Sequence, residues 1–127
     1  MDTLELNISG TEDTPEINFN SQANEFLISG RSLPEDVATF YKPVFAWLET
    51  FLAGKDAKAT FKFKLEYFNT ASSKIILDIL MKLEETTQEN GSDLKVEWFY
   101  DESDDDMLEA GEEYKDLVEI PFHIIPN

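Results

Sequence analysis

The stretch Thr60-Phe61-Lys62-Phe63-Lys64-Leu65-Glu66-Tyr67-Phe68, running on into Asn69-Thr70-Ala71-Ser72-Ser73-Lys74, decides the fold. Phe61, Phe63, Leu65 and Tyr67 alternate with Thr60, Lys62, Lys64 and Glu66, the period of a half-buried strand. Long charged side chains on the second face imply a sheet covered by helices on one side and wetted on the other. Asn69 or Thr70 can cap a helix that carries Ile75, Ile76, Ile79, Leu80 and Leu83 and stops at Asn90-Gly91. Leu94, Val96, Trp98 and Tyr100 then alternate with Lys95 and Glu97. Strand 60–68, helix 70–88 and strand 94–100 form a βαβ crossover, so the two strands are parallel and end at one edge of the sheet. That edge is where α/β folds usually carry functional groups.

Working outward, Ile17 and Phe19 alternate with Glu16, Asn18 and Asn20, and Phe26 to Ser29 resumes a strand, predicting a hairpin. Leu4, Leu6 and Ile8 suggest a short edge strand. Ser32-Leu33-Pro34-Glu35 has the spacing of a capping box for a helix bearing Val37, Phe40, Tyr41, Val44, Leu48, Phe51 and Leu52, with Gly54 as its stop. Pro43 lacks an N–H and predicts a kink or a restart. A third helix is expected from about Asp105 to Leu117, and a last strand over Val118, Ile120, Phe122 and Ile124. The expected fold is α/β, one domain over residues 1–127, with a central mixed sheet and helices mainly on one face.

The chain has 127 residues, 42% hydrophobic, with 27 Asp+Glu against 10 Lys+Arg and a net charge of −17. Ten Phe, two Trp and four Tyr are too many for a disordered acidic tail. The charge argues against nucleic acid and an anionic membrane as partners. The absence of Cys removes thiol catalysis, disulfides and Cys-based zinc sites. With no basic, apolar leader and no stretch of the ~20 apolar residues a span requires, a cytoplasmic location is expected.

Two loops meet at the expected edge. Asn69 to Lys74 places hydroxyls at a helix start, where free N–H groups and the helix dipole favour an anion, including a phosphate on Thr70. Lys74 lies on the same helical face as Thr70. The ordinary alternative is that Asn69 and Thr70 are caps and Ser72 and Ser73 fill the first turn. The second loop, Asp101-Glu102-Ser103-Asp104-Asp105-Asp106, has five carboxylates in six positions. Asp101, Ser103, Asp105 and Glu112 fall at positions 1, 3, 5 and 12 of a calcium loop, but Asp106 replaces the turning Gly and a strand precedes it. A solvated loop leading into a helix is the alternative. His123 falls in a strand pattern without triad partners. A carboxylate hydrolase using Asp101 and Glu109 lacks any other polar constellation. No glycine motif cradles a nucleotide, and Lys55, Lys58, Lys62 and Lys64 form the one basic cluster.

Ile28-Ser29-Gly30-Arg31-Ser32-x-Pro34-Glu35, Phe40-Tyr41-x-Pro43-Val44, Trp47-Leu48, Lys64-Leu65-Glu66-Tyr67-Phe68-Asn69-Thr70-x-Ser72-Ser73-Lys74 and Asp105-Asp106-Met107-Leu108-Glu109-Ala110-Gly111-Glu112 closely resemble the SiaC family of bacterial regulatory phosphoproteins. Together with Thr14-Pro15-Glu16-Ile17 they run collinearly over nearly the whole chain. The resemblance implies a fold similar to the STAS domain of anti-sigma factor antagonists and a non-catalytic, cofactor-free partner switch. It implies phosphorylation of Thr70 by a GHKL-type protein kinase and dephosphorylation by a PP2C-like phosphatase. The unmodified form would then bind and activate a diguanylate cyclase, raising cyclic diguanylate and promoting biofilm formation. The expected partner-binding residues are Arg31, Asn69, Ser72, Ser73 and Lys74, with Asp101, Asp104, Asp105 and Asp106 from the acidic loop.

Overall fold

The computed structural model describes residues 5–20, 25–53, 58–91 and 93–127. Nine elements follow one another: β1 (Glu5–Ile8), β2 (Glu16–Asn20), β3 (Glu25–Ser32), α1 (Val37–Leu52), β4 (Lys58–Phe68), α2 (Thr70–Asn90), β5 (Asp93–Tyr100), α3 (Asp105–Leu117) and β6 (Phe122–Pro126). The six strands lie in chain order in one mixed sheet. β1, β2 and β3 pair antiparallel, whereas β3, β4, β5 and β6 pair parallel, each parallel step crossing over through a helix. Ile17, Phe26, Ile28, Phe61, Phe63, Val96 and Trp98 from the strands share one core with Tyr41, Leu48, Ile76, Ile79 and Leu83 from the helices. The alternating Lys62, Lys64, Lys95 and Glu97 lie on the opposite, wetter side. Thus the mixed sheet covered on one face, expected from residues 60–68, is the observed architecture.

Several local expectations change. The hairpin exists, and the expected turn at 21–24 lies outside the described residues, as do Leu4, Gly54 and Lys55. Ser32 does not cap α1: it ends β3, fully buried, and α1 begins at Val37 with Asp36 accepting from Thr39 N–H at 3.2 Å. The strand persists that far because Leu33 N–H still bonds to the Asp13 carbonyl at 2.8 Å. Pro43 neither splits nor restarts α1. Its missing N–H would have bonded to the carbonyl of Thr39, an exposed residue that water can reach, while buried Tyr41, Val44, Trp47 and Leu48 hold the helix on the core. The last strand starts at Phe122. Val118 instead closes α3, and buried Ile120 packs in the connection.

One irregularity re-aims the end of β4. Gly30 pairs with Leu65 but Arg31 pairs with Tyr67, which leaves Glu66 as an extra residue on β4. This bulge inverts the alternation. Tyr67, expected in the core, points outward at 48% exposure, and Phe68 turns inward against Trp98 and Tyr114. Gly30 sits at φ +96°, a conformation open to glycine and strained for other residues.

Buried hydroxyls fix the first turn of α2, which follows directly. Asn69 caps the helix, accepting from Ser72 N–H at 2.8 Å, and its own N–H donates to the Ser32 carbonyl at 3.1 Å. Ser32 Oγ donates to Ser72 Oγ at 2.8 Å, so the Tyr41 hydroxyl, 2.7 Å away, donates to Ser32 Oγ. From the other side, the Tyr114 hydroxyl donates to the Ser73 carbonyl at 2.8 Å. The turn is thereby tied to β3, α1 and α3. Helix α3 is held in turn by Trp98, whose indole N–H donates to the Met107 carbonyl at 3.0 Å.

Gly111 permits this close seat, because a Cβ there would lie 2.5 Å from Trp98 Cδ1. In a free helix, Gly→Ala gains roughly 1 kcal/mol. Here Gly111→Ala is expected to cost about 1–3 kcal/mol, since Trp98 is fully buried and has nowhere to retreat. A urea midpoint that falls is the expected result, and one that rises contradicts the packing.

Burial pushes the Tyr41 and Tyr114 hydroxyls above the usual tyrosine range, with the Glu113 charge adding to the shift at Tyr114. A folded pKa above the unfolded value of about 10 means the stabilisation is complete below pH ~10 and lost as pH rises further. Urea unfolding across pH 8 to 12 is expected to show stability falling above pH ~10. The fall is expected to be shallower in Tyr41→Phe and Tyr114→Phe. An unchanged slope in both variants contradicts this account.

Candidate functional site

The C-terminal ends of β4 and β5 place two sequence-distant loops on one edge, as the crossover requires. Thr70 is the first residue of α2 and is exposed, and its hydroxyl makes no hydrogen bond among the described residues. The neighbouring hydroxyls are committed. Ser73 Oγ donates to the Thr70 carbonyl at 2.6 Å, and Ser72 is fully buried in the chain to Ser32 and Tyr41. Ser72, expected to touch a partner, is therefore part of the frame beneath the site. Asn69 is half-buried and occupied as the cap, whereas Lys74 is exposed. The first turn of α2 contains no acidic residue, so no carboxylate of that turn offsets the positive end of the helix dipole.

Helix α3 is arranged oppositely. Asp104 caps it, accepting from Met107 N–H at 3.0 Å, and Asp105 and Asp106 occupy its first turn. Asp101 Oδ1 accepts from the backbone N–H and the hydroxyl of Ser103, at 2.9 and 2.6 Å. Those two bonds, the hydroxyl first, hold the Asp101 carboxyl below its usual range. The acidic loop is thus a structured turn. Among the described residues, no group of three or more His, Cys, Asp or Glu side chains is disposed to hold a metal ion.

Between the end of β4 and the start of α3 lies a groove of 330 Å³, lined by Glu66, Tyr67 and Phe68 from the strand and Asp104, Asp106, Met107 and Ala110 from the helix side. Its lining is apolar at Phe68, Met107 and Ala110 and acidic at Glu66, Asp104 and Asp106. Arg31, at the end of β3, donates through Nε to the Glu12 carbonyl at 3.2 Å and lies 5.5 Å from the centre of the Tyr67 ring. An exposed aromatic carrying a cation, beside an apolar groove, is a usual anchor for a protein partner.

The structure thus gathers Arg31, Asn69, Thr70, Ser73, Lys74, Asp104 and Asp106 near one edge. Asp101 lines a different depression with Lys64 and Phe99, and Asp105 is exposed outside the groove. Tyr67, Phe68, Met107 and Ala110 were not anticipated as site residues. Tyr67 and Phe68 exchange faces through a bulge that periodicity cannot show. Met107 and Ala110 carried a signal, as apolar residues directly after the acidic run.

A family model described as SiaC family regulatory phosphoprotein matches residues 8–127. An uncharacterised protein of Pseudomonas aeruginosa (strain UCBPP-PA14) is 35% identical over 120 residues, 94% of each chain. Among solved structures, SiaC of Pseudomonas aeruginosa superposes with a TM-score of 0.89 at 34% identity, over 97% of this chain and 98% of the other. A crystal structure of the diguanylate cyclase SiaD in complex with its activator SiaC, from the same organism, gives a TM-score of 0.90 at 34% identity, over 96% and 99% of the two chains. Matched by the family model from residue 8 to residue 127 and superposing on SiaC along almost the full length of both chains, the chain belongs to the SiaC family of regulatory phosphoproteins.

Proposed function

We propose that the chain is a non-catalytic, cytoplasmic activator of a diguanylate cyclase, switched by reversible phosphorylation of Thr70. The observation that carries this reading is the state of one hydroxyl: Thr70 is exposed and uncommitted, on a turn fixed to three other elements. A kinase needs an accessible acceptor in a defined place, and Ser72, two residues on, is sealed from solvent. The cognate enzymes are a GHKL-type kinase and a PP2C-like phosphatase, by family resemblance. The cyclase partner is supported by the relative captured with the diguanylate cyclase SiaD.

The switch needs little refolding. Unmodified, the α2 start, Tyr67 with Arg31, and the groove beside Asp104 and Asp106 present one docking edge. Phosphate adds about −1.5 to −2 charges there. Unit charges ~6 Å apart at an effective ε of ~20 repel by about 3 kcal/mol before screening. A third of that changes affinity severalfold. The same charge near the carboxylates of an acidic edge opposes docking of any partner that reads the edge in its unmodified form.

Thr70→Ala is expected to activate the cyclase whether or not the kinase is active, and Thr70→Glu to bind it at least about fivefold more weakly. Titration of both variants against the cyclase checks this, and equal affinities contradict it. Peptide mass spectrometry after incubation with kinase and ATP is expected to find phosphate on Thr70 and none on Ser72. Phosphate confined to another residue overturns the assignment.

A further inference from the structure

The large apolar side chains that stand exposed among the described residues gather along one line, between α2 and α3. They are Tyr67 at 48%, Met81 at 53% and Leu117 at 61% exposure. On α2, Met81 shares a helical face with Leu77 and Thr70. On α3, Leu117 shares a face with Glu113, Ala110 and Asp106. The two faces flank one valley, because the helices are tied near both ends of it. The Tyr114 hydroxyl donates to the Ser73 carbonyl at 2.8 Å, and beyond Leu117 the Glu119 N–H donates to Glu84 Oε2 at 3.0 Å. Tyr67 stands at the head, where it lines a groove with Asp106 and Ala110. The other flank of α2 is covered by α1, where Lys82 pairs with Glu49 at 3.0 Å.

Single exposed apolar residues are ordinary, whereas several along one line mark an interaction surface. Asp106 and Glu113 line the α3 wall, and neither forms an ion pair among the described residues. Lys115 lies on the opposite flank of α3, with Leu108 and Ile124. Of the two lysines of α2, Lys82 is paired with Glu49 and Lys74 stands among exposed Asp78 and Glu85. We propose that this valley seats an amphipathic helix of a partner protein, with its apolar stripe on Leu77, Met81, Ala110 and Leu117 and a Lys- or Arg-bearing flank along Asp106 and Glu113. That the helix belongs to the cyclase rests on the function proposed above.

Backbone chemistry and charge select this occupant. An extended segment needs a free sheet edge for its N–H and C=O groups, and both walls here are helices whose own backbone bonds are closed, whereas a helix arrives with its backbone satisfied. From Asp106 to Leu117 the seat runs roughly 17 Å at ~1.5 Å per residue, about three turns of a docked helix. A second copy of a −17 chain would meet the acidic wall with its own excess of carboxylates. Thr70 heads the α2 wall, so a phosphate there sets hydrated charge on the apolar side of the seat, while the basic flank lies along the other wall.

Isothermal titration of the full chain into the diguanylate cyclase tests the seat, with only exposed residues substituted. Met81→Glu with Leu117→Glu is expected to weaken binding about tenfold or more. The control Ala38→Glu with Ala46→Glu, exposed on α1, makes the same change in net charge and is expected to stay within about twofold of the native chain. Asp106→Lys with Glu113→Lys is expected to cost about tenfold, and the exposed control Glu35→Lys with Glu89→Lys about twofold at most. Hydrogen exchange of the complex is expected to protect a helical cyclase segment with apolar residues at helical spacing and Lys or Arg beside them. If the native chain binds and either valley variant binds as well as its control, the seat is overturned and the proposed function stands. A protected segment that is a strand, or acidic, overturns it equally. If the native chain does not bind the cyclase, the proposed function falls and the cyclase helix with it.

Discussion

The hydroxyl chain from Tyr41 through Ser32 to Ser72 fixes the first turn of α2, the turn that carries Thr70. All three side chains are fully buried, so each hydroxyl left unpaired would carry a desolvation cost of about 1–3 kcal/mol, and pairing them removes it. The arrangement joins the end of β3, the first turns of α1 and the first turn of α2 in one polar contact inside an apolar core. Asn69 and Tyr114 complete it from the outside. A helix start held from several directions presents Thr70 in one orientation. The same packing that buries Ser72 leaves Thr70 exposed.

A single extra residue does comparable work at the strand end. The bulge at Glu66 moves Tyr67 out to meet Arg31 and Phe68 in to meet Trp98 and Tyr114, so the exposed Tyr67–Arg31 pair and the seat of α3 are made by one shift. Because Trp98 also bonds to the Met107 carbonyl and faces Gly111 at close range, the acidic start of α3 stands in a fixed relation to the end of β4. The groove between them is a consequence of this packing.

What could be read from residues alone was what local chemistry dictates. The alternation from Thr60 to Leu65, the Asn69 cap, Gly91 in the left-handed conformation that ends α2, and the boundaries of α3 all follow from contacts a few residues apart. The crossover rule then placed Thr70 and the acidic loop on the same side of the sheet. Readings failed where a distant partner decided the outcome. Ser32 has a capping residue's chemistry, but the Tyr41 hydroxyl and Ser72 claim it; Pro43 could have restarted the helix, but α1 runs through it as one element packed on the core. The resemblance grouped Ser72 with the surface residues because order along the chain does not reveal burial.

The charge of −17 is also unevenly placed, dense at the edge over Asp101 to Asp106 and mixed in sign on the open sheet face, where Lys58 and Lys62 stand beside Asp93 and Glu97. The most direct measurement is isothermal titration of the diguanylate cyclase with the chain phosphorylated at Thr70 alone and with the unmodified chain. The account predicts that the phosphorylated form binds at least about fivefold more weakly. Equal or tighter binding by the phosphorylated form contradicts it.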